Sequence, residues 1–425
     1  MSDVDEEEQP VVVEVKEEPG KKFFISHINS YAGLVLYQEL QNKHLVKEEF
    51  AAHTFHGTLQ QGLNHIYNMW NPTAPEGVEK VIKFERSREF REGILDCDVI
   101  IYDLMTNSFE EVDYVIKTLK TSKYSTPKTL IINSSVMTWV NTPPKLQKEG
   151  EEGEQAEGEE GAEAEEEEEP DEPEEGEENP EGEDGEEKPK KPKVLYFKES
   201  DSHLRVPHER YLNHKNLETL ALSAPKTQPK LKVHILCCGV KYGNGEGAFY
   251  DHFKNAWLQK PSQLPIVGKG DNLIPTIHVR DLARITKRLI DENIEKSYIF
   301  AVDRTKKPTQ KRLVQAISSG IGTGKVKHFE HDEIADSILW KDFLTINLKL
   351  KTSDVFKDKE APEGEEENEE ALAKLKFPWH CQGGVLEHSK QLNVEFNESR
   401  NLKPVKVFIT GPPASGKTFY SEKIQ

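Results

Sequence analysis

Residues Gly411, Pro412, Pro413, Ala414, Ser415, Gly416, Lys417 and Thr418 follow the spacing G-x-x-x-x-G-K-[ST]. Residues of these types at this spacing do phosphate chemistry. The glycines let backbone N–H groups turn inward around phosphate oxygens. A helix opening after the loop adds the positive end of its dipole. Lys417 is placed to neutralise β- and γ-phosphates, and the Thr418 hydroxyl to ligate the Mg²⁺ of a bound ATP. An apolar run from Val405 to Thr410 predicts a strand before the loop, and a helix is predicted to open at Thr418. The alternative is a chance glycine turn, which does not require strand, loop, Lys-Thr and helix in that order.

A second constellation is Tyr211-Leu-Asn-His-Lys215, with Ser135 as a third member. On a helix, positions i and i+4 share a face. An ammonium beside a phenol lowers its pKa, so Tyr211 could relay a proton with Lys215 and Ser135. The bland alternative is a packed tyrosine and a solvated lysine. His278 and Asp281 could act as ligands or acid/base groups, but they also suit a strand-to-helix turn, with Asp281 near the helix start. Cys237 and Cys238 lie in an apolar strand and read as core. Phe253 and Trp257, at i and i+4, read as core rather than as a stacking platform.

The elements that must hold these residues alternate. KKFFISHI at 21–28 predicts a strand, NSYAG a turn, and LVLYQELQNKHL a helix. ILDCDVIIYDL (94–104) and TLIINSSVMTW (129–139) carry β-branched runs around a helical stretch from Glu110 to Lys123. After residue 194 come the helix ERYLNHKNLETLAL and the strand KLKVHILCCGVKYG (230–243). They are followed by a helical stretch at 249–258, IPTIHVRDLARITKRLI (274–290) and the strand KSYIFAVD (296–303). Strands alternating with helices predict a parallel α/β sheet with right-handed crossovers.

The charge is −20 over 425 residues, yet it is localised. Glu149 to Glu187 holds 24 acids and no base, and removing those charges from −20 leaves +4 for the rest. Residues 145–193 therefore read as a disordered acidic insert, and 1–20 as a disordered acidic tail. Residues 361–370 form a second acidic loop within an expected linker over 351–402 that also contains a helix. No run approaches ~18 apolar residues, so no membrane span is expected. The acidic start MSDVDEEEQP lacks an apolar segment and is not expected to act as a secretory signal. Without a basic stripe, nucleic acid is not an expected partner. The four cysteines show no CxxC spacing, which argues against a zinc site and a disulfide framework and for a reducing, cytoplasmic compartment.

GPPASGKT resembles the phosphate loops of the adenylate kinase family. Residues 403–425 then look like the start of such a domain: first strand, loop and helix start. Residues 21–350 resemble the extended short-chain dehydrogenase/reductase family, in its epimerase-like branch. The resemblance rests on Leu264-Pro-Ile-Val-Gly-Lys-Gly-Asp271, Ile274-Pro-Thr-Ile-His278-Val-Arg-Asp281-Leu-Ala283, Gly239-Val-Lys-Tyr-Gly243 and Asn133-Ser134-Ser135-Val136. It implies a Rossmann-like parallel sheet with a smaller C-terminal subdomain, and an NAD(P)-dependent epimerase or reductase as one possible activity.

The family's glycine fingerprint aligns with Ser26-His27-Ile28-Asn29-Ser30-Tyr31-Ala32-Gly33, where the last glycine alone remains. His27 and Ser30 put Cβ atoms where backbone should meet pyrophosphate, and no ribose-binding acid stands near Ala51-Ala-His-Thr-Phe. The expectation is that NAD(P) is not bound.

An epimerase-like region ahead of a kinase loop resembles the axonemal adenylate kinases of cilia and flagella. That resemblance implies ATP + AMP = 2 ADP exchange with ATP and Mg²⁺ in a longer protein. It also implies a non-catalytic region placed on axonemal proteins such as doublet microtubule components. A purely structural microtubule-associated module is the other alternative.

Overall fold

A computed structural model describes residues 20–41, 53–61, 73–85, 87–147, 194–244, 247–330, 333, 340–358, 375–403 and 407–424. The acidic tail, almost all of the acidic insert and the 361–370 loop lie outside the described residues.

Seven strands form one parallel sheet: β1 (Lys22–Ile25), β2 (Thr54–Gly57), β3 (Lys80–Val81), β4 (Val99–Asp103), β5 (Lys128–Ser135), β6 (Leu231–Cys238) and β10 (Tyr298–Ala301). Their spatial order is β10-β6-β5-β4-β1-β2-β3, the doubly wound arrangement of a Rossmann-like sheet. Between β6 and β10 come β7 (Val240–Tyr242), β8 (Leu264–Val267) and β9 (Thr276–His278), and after β10 comes β11 (Val326–Phe329). Two small parallel ribbons, β7 with β9 and β8 with β11, belong to the smaller C-terminal part.

The strands are apolar on both faces because helices cover both. Phe24, Ile100, Tyr102 and Ile132 point to one side, where α2 (Arg88–Asp96), α3 (Phe109–Thr121) and α4 (Leu212–Ser223) supply Phe90, Ile94, Val115, Ile116 and Leu217. Phe23, Ile25, Val99, Ile101 and Ile131 point to the other, against α1 (Tyr31–Gln41) and α6 (Val279–Asp291). The helices start where the sequence offers caps: the Ser87 and Ser108 side chains accept the amides of Phe90 and Glu111.

α5 (Tyr250–Leu258), α7 (Gln310–Ile321), α8 (Trp340–Leu344) and α9 (Gly384–Ser399) complete the smaller part. α9 falls in the stretch expected as a linker, yet it packs on α7 and buries Val385, Leu392 and Phe396 in the main core. Phe253 is buried as expected, whereas Trp257 stays 44% exposed. Cys237 and Cys238 are core residues.

The acidic insert leaves and returns at one point. Leu146 and Val194 form an antiparallel bridge, with the Leu195 amide on the Lys145 carbonyl at 2.8 Å. α10 (Lys417–Ile424) follows the phosphate-loop motif. The strand expected over 405–410 does not form across the described residues 407–410. Its apolar residues Val407 and Phe408 are exposed, Phe408 by 90%, so among the described residues no ladder partner or packing surface holds them extended.

Candidate functional site

Four places hold residues that could do chemistry: the turn after β1, the ends of β4 to β6, the group around His278 at the end of β9, and the 411–418 loop. The turn after β1 is held by hydrogen bonds among the protein's own groups. His27 takes a left-handed conformation (φ +46°), and its amide donates to Thr58 Oγ1 at 2.9 Å. The Ile28 amide reaches the Thr58 carbonyl. Asn29 clasps Gln60 twice, donating from Nδ2 to its carbonyl at 3.2 Å and accepting its amide at 2.7 Å. Tyr31, the first residue of α1, donates its hydroxyl to the Gly243 carbonyl at 2.5 Å. Ile28, Asn29, Ser30 and Tyr31 are all buried. Burial pushes the His27 imidazole below its usual pKa, which favours the neutral ring. Gly33 is the position the turn requires, since a Cβ there would lie 2.4 Å from the His27 carbonyl oxygen.

At the strand ends, Asp103 of β4 meets Lys241 of β7 in a buried ion pair at 2.5 Å. Ser134 of β5 donates to Glu218 of α4, and Arg205 Nε lies 2.9 Å from the other carboxylate oxygen. Glu218 is fully buried; burial raises its pKa, and Arg205 is the main opposing influence.

The Ser135, Tyr211, Lys215 trio does not assemble as expected. Tyr211 closes a 3₁₀ turn (Glu209–Tyr211) and precedes α4, so it does not share a helical face with Lys215. The Lys215 ammonium is spent on the Arg205 carbonyl at 2.8 Å. Burial pushes the Tyr211 hydroxyl up to about 12, opposite to the expected lowering. Ser135 Oγ accepts the Met137 amide as a cap. Among the described residues no hydrogen bond joins any two of the three.

His278 caps α6, its side chain accepting the Arg280 amide at 3.1 Å, as a turn-fixing residue should. Asp281 reaches further than expected and takes the amides of His380 and Cys381 at 2.6 and 2.9 Å. Glu395 of α9 bonds both His278 Nε2 (3.1 Å) and His380 Nε2 (2.6 Å). Spacing could not find this group, because its members lie about a hundred residues apart.

In the phosphate-loop motif, Ala414 (φ +64°) and Gly416 (φ +79°) take left-handed conformations that curl the loop ahead of α10. Lys417 is the first residue of α10, and its ammonium folds back on the Gly411 and Pro412 carbonyls at 2.8 and 2.7 Å. The loop is thus at a helix start with its lysine over the ring of backbone. These residues fit a triphosphate, which would draw Lys417 off the carbonyls and place Thr418 for Mg²⁺.

No protein-family model matches the chain. A curated relative, adenylate kinase 7 of Mus musculus, is 28% identical over 341 residues, covering 78% of this chain and 45% of the relative. The chain is similar to adenylate kinase 7. The Macaca fascicularis protein of the same name is 32% identical over 216 residues, 49% of this chain and 37% of its own length. The chain thus spans less than half the length of these relatives.

Among solved structures, dTDP-glucose 4,6-dehydratase DesIV of Streptomyces venezuelae, with NAD and TYD bound, matches with a TM-score of 0.55 at 12% identity. The match covers 89% of this chain and 98% of that one. The Bacillus anthracis dTDP-glucose 4,6-dehydratase in complex with NAD gives 0.54 at 13%, covering 90% and 100%. UDP-glucuronic acid 4-epimerase of Bacillus cereus, in complex with NAD, gives 0.51 at 13%, covering 90% and 99%. These likenesses establish the epimerase- and dehydratase-like Rossmann fold. Among the described residues no helix is long and apolar enough to cross a membrane.

Proposed function

We propose that this chain is the placement region and phosphate-loop entry of an adenylate kinase of the ciliary or flagellar axoneme. In this reading the epimerase-like region takes no NAD(P) and does no hydride chemistry. It seats the protein on axonemal partners such as doublet microtubule components. Gly411 to Thr418 hold ATP phosphates in the whole protein, with Lys417 on the β/γ-phosphates and Thr418 on Mg²⁺, for the reversible exchange ATP + AMP = 2 ADP.

One observation carries the reading. The dinucleotide turn lacks two of the fingerprint's three glycines and is tied by Asn29–Gln60 and Tyr31–Gly243, while residues 411–418 keep both glycines, Lys417 and Thr418 of a phosphate loop. The similarity to adenylate kinase 7 supports the kinase half.

The test uses the full-length protein isolated from ciliated or flagellated cells. A coupled ADP-formation assay is expected to show exchange, and Lys417→Ala to lower it by about 100-fold or more, the scale of losing one preorganised charge. NADPH titration is expected to leave its fluorescence unchanged. Tight NADPH binding would revive the epimerase or reductase reading. Absence of exchange would reduce the protein to a structural microtubule-associated module.

A further inference from the structure

We propose that His278, His380, Cys381 and Glu395 form a structural zinc site that pins the 375–403 segment to the end of β9. One donor atom each from His278, His380 and Cys381 lies within 4.8 Å of the others. The Glu395 carboxylate already touches both imidazoles, at 3.1 and 2.6 Å. Two nitrogens, one sulfur and one carboxylate oxygen make a four-donor set that suits zinc and leaves no open position, which is the form of a structural site.

Three features around the cluster hold it ready. Asp281 accepts the backbone amides of both His380 and Cys381, fixing the turn that carries two of the donors. Cys381 is a free, fully buried thiol. Gly243 packs over His278, where a Cβ would fall 1.9 Å from Nε2; with φ at +85°, the position keeps that nitrogen's surroundings clear.

The donors come from the start of α6, a loop and α9, so one ion would tie together segments about a hundred residues apart. That segment leads directly to the phosphate-loop motif.

Zinc takes the place of one thiol proton and two ring protons on the donor atoms. Zn–S, Zn–O and two Zn–N bonds form, and the Cys381 S–H bond breaks with its proton released to solvent. In the metal-free cluster His278 Nδ1 accepts the Arg280 amide, so its ring proton sits on Nε2. That proton moves through solvent to Nδ1, and the Arg280 amide gives up its bond; at His380 the ring proton that faces Glu395 from Nε2 likewise moves through solvent to Nδ1, freeing Nε2 for the ion.

The experiment uses the whole chain, stripped with chelator and titrated with Zn²⁺ alone, then with Co²⁺ alone. Expected are one ion per chain by native mass spectrometry, a raised Tm, and a near-ultraviolet thiolate-to-cobalt charge-transfer band with tetrahedral d–d absorption. Cys381→Ser is expected to abolish that band and to weaken zinc at least 100-fold. Glu395→Gln should weaken zinc about 10-fold while keeping the band. Hydrogen exchange at the Arg280 amide should speed up on loading. The wild-type spectrum needs no variant to fold. Substoichiometric uptake, a missing charge-transfer band, or a band that survives Cys381→Ser would each overturn the assignment.

Discussion

Arg205→Met offers the sharpest test of the reasoning about the strand ends. The Arg205 side chain is 6% exposed and that of its partner Glu218 is 0%. The guanidinium lies 2.9 Å from the carboxylate, donates to Thr219 Oγ1 at 3.2 Å and sits 5.4 Å over the Tyr298 ring. Methionine keeps much of the volume and removes the charge. Glu218 then keeps its Ser134 hydroxyl and loses its cation.

Stranding one member of a buried pair costs about 3–5 kcal/mol. That is a large share of the ~5–15 kcal/mol that holds a domain folded. Burial raises the Glu218 pKa, and Arg205 is the first influence holding it down, so the variant carboxyl moves further above its unfolded value. A group raised on folding contributes stability below its unfolded pKa and loses it as pH rises through the folded one. The loss should therefore be smaller near pH 5 than near pH 8. Urea denaturation followed by tryptophan fluorescence at both pH values measures this. Adding Glu218→Leu should recover most of the stability, since both charges are then gone. A single variant within about 1 kcal/mol of wild type at pH 8, or a loss independent of pH, would refute the argument.

Gly33→Ala should destabilise the chain by about 1–3 kcal/mol, because its Cβ meets the His27 carbonyl oxygen at 2.4 Å; thermal denaturation reads it. Asp303 is pushed up to about 7, chiefly by burial, so its contribution to stability is lost as pH rises from about 4 through 7. Asp303→Asn should flatten that segment of the stability–pH curve by at most ~4 kcal/mol, while its amide oxygen still accepts from Thr276. Trp139→Ala should cost about 3–5 kcal/mol, since the ring is fully buried against Phe197 and Phe300 and its Nε1 donates to the Tyr298 hydroxyl at 2.8 Å.

Local patterns were enough for the doubly wound sheet. Runs such as Val99–Ile100–Ile101 are apolar on both faces, and only a sheet covered on both sides buries them. The broken dinucleotide fingerprint and the intact 411–418 loop were legible for the same reason: each is a contiguous string whose backbone chemistry depends on residue type at fixed spacing. His278 as a turn-fixing residue was legible too, because a cap acts within one turn.

Contacts far apart in sequence were decided by tertiary packing. Tyr211-x-x-x-Lys215 reads as a helical pair, but the Arg205 carbonyl competes for the ammonium and a 3₁₀ turn takes the tyrosine. The strand expected before Gly411 needs a neighbouring ladder, which the described residues do not provide. α9, inside a stretch that reads as a linker, is drawn into the core by Phe396 stacking on Phe253. The same packing brings His380, Cys381 and Glu395 to His278. Periodicity reports which side of an element is buried. It carries no information about which distant side chain meets it there, and that pairing is what sets the charges, the tautomers and the candidate metal donors.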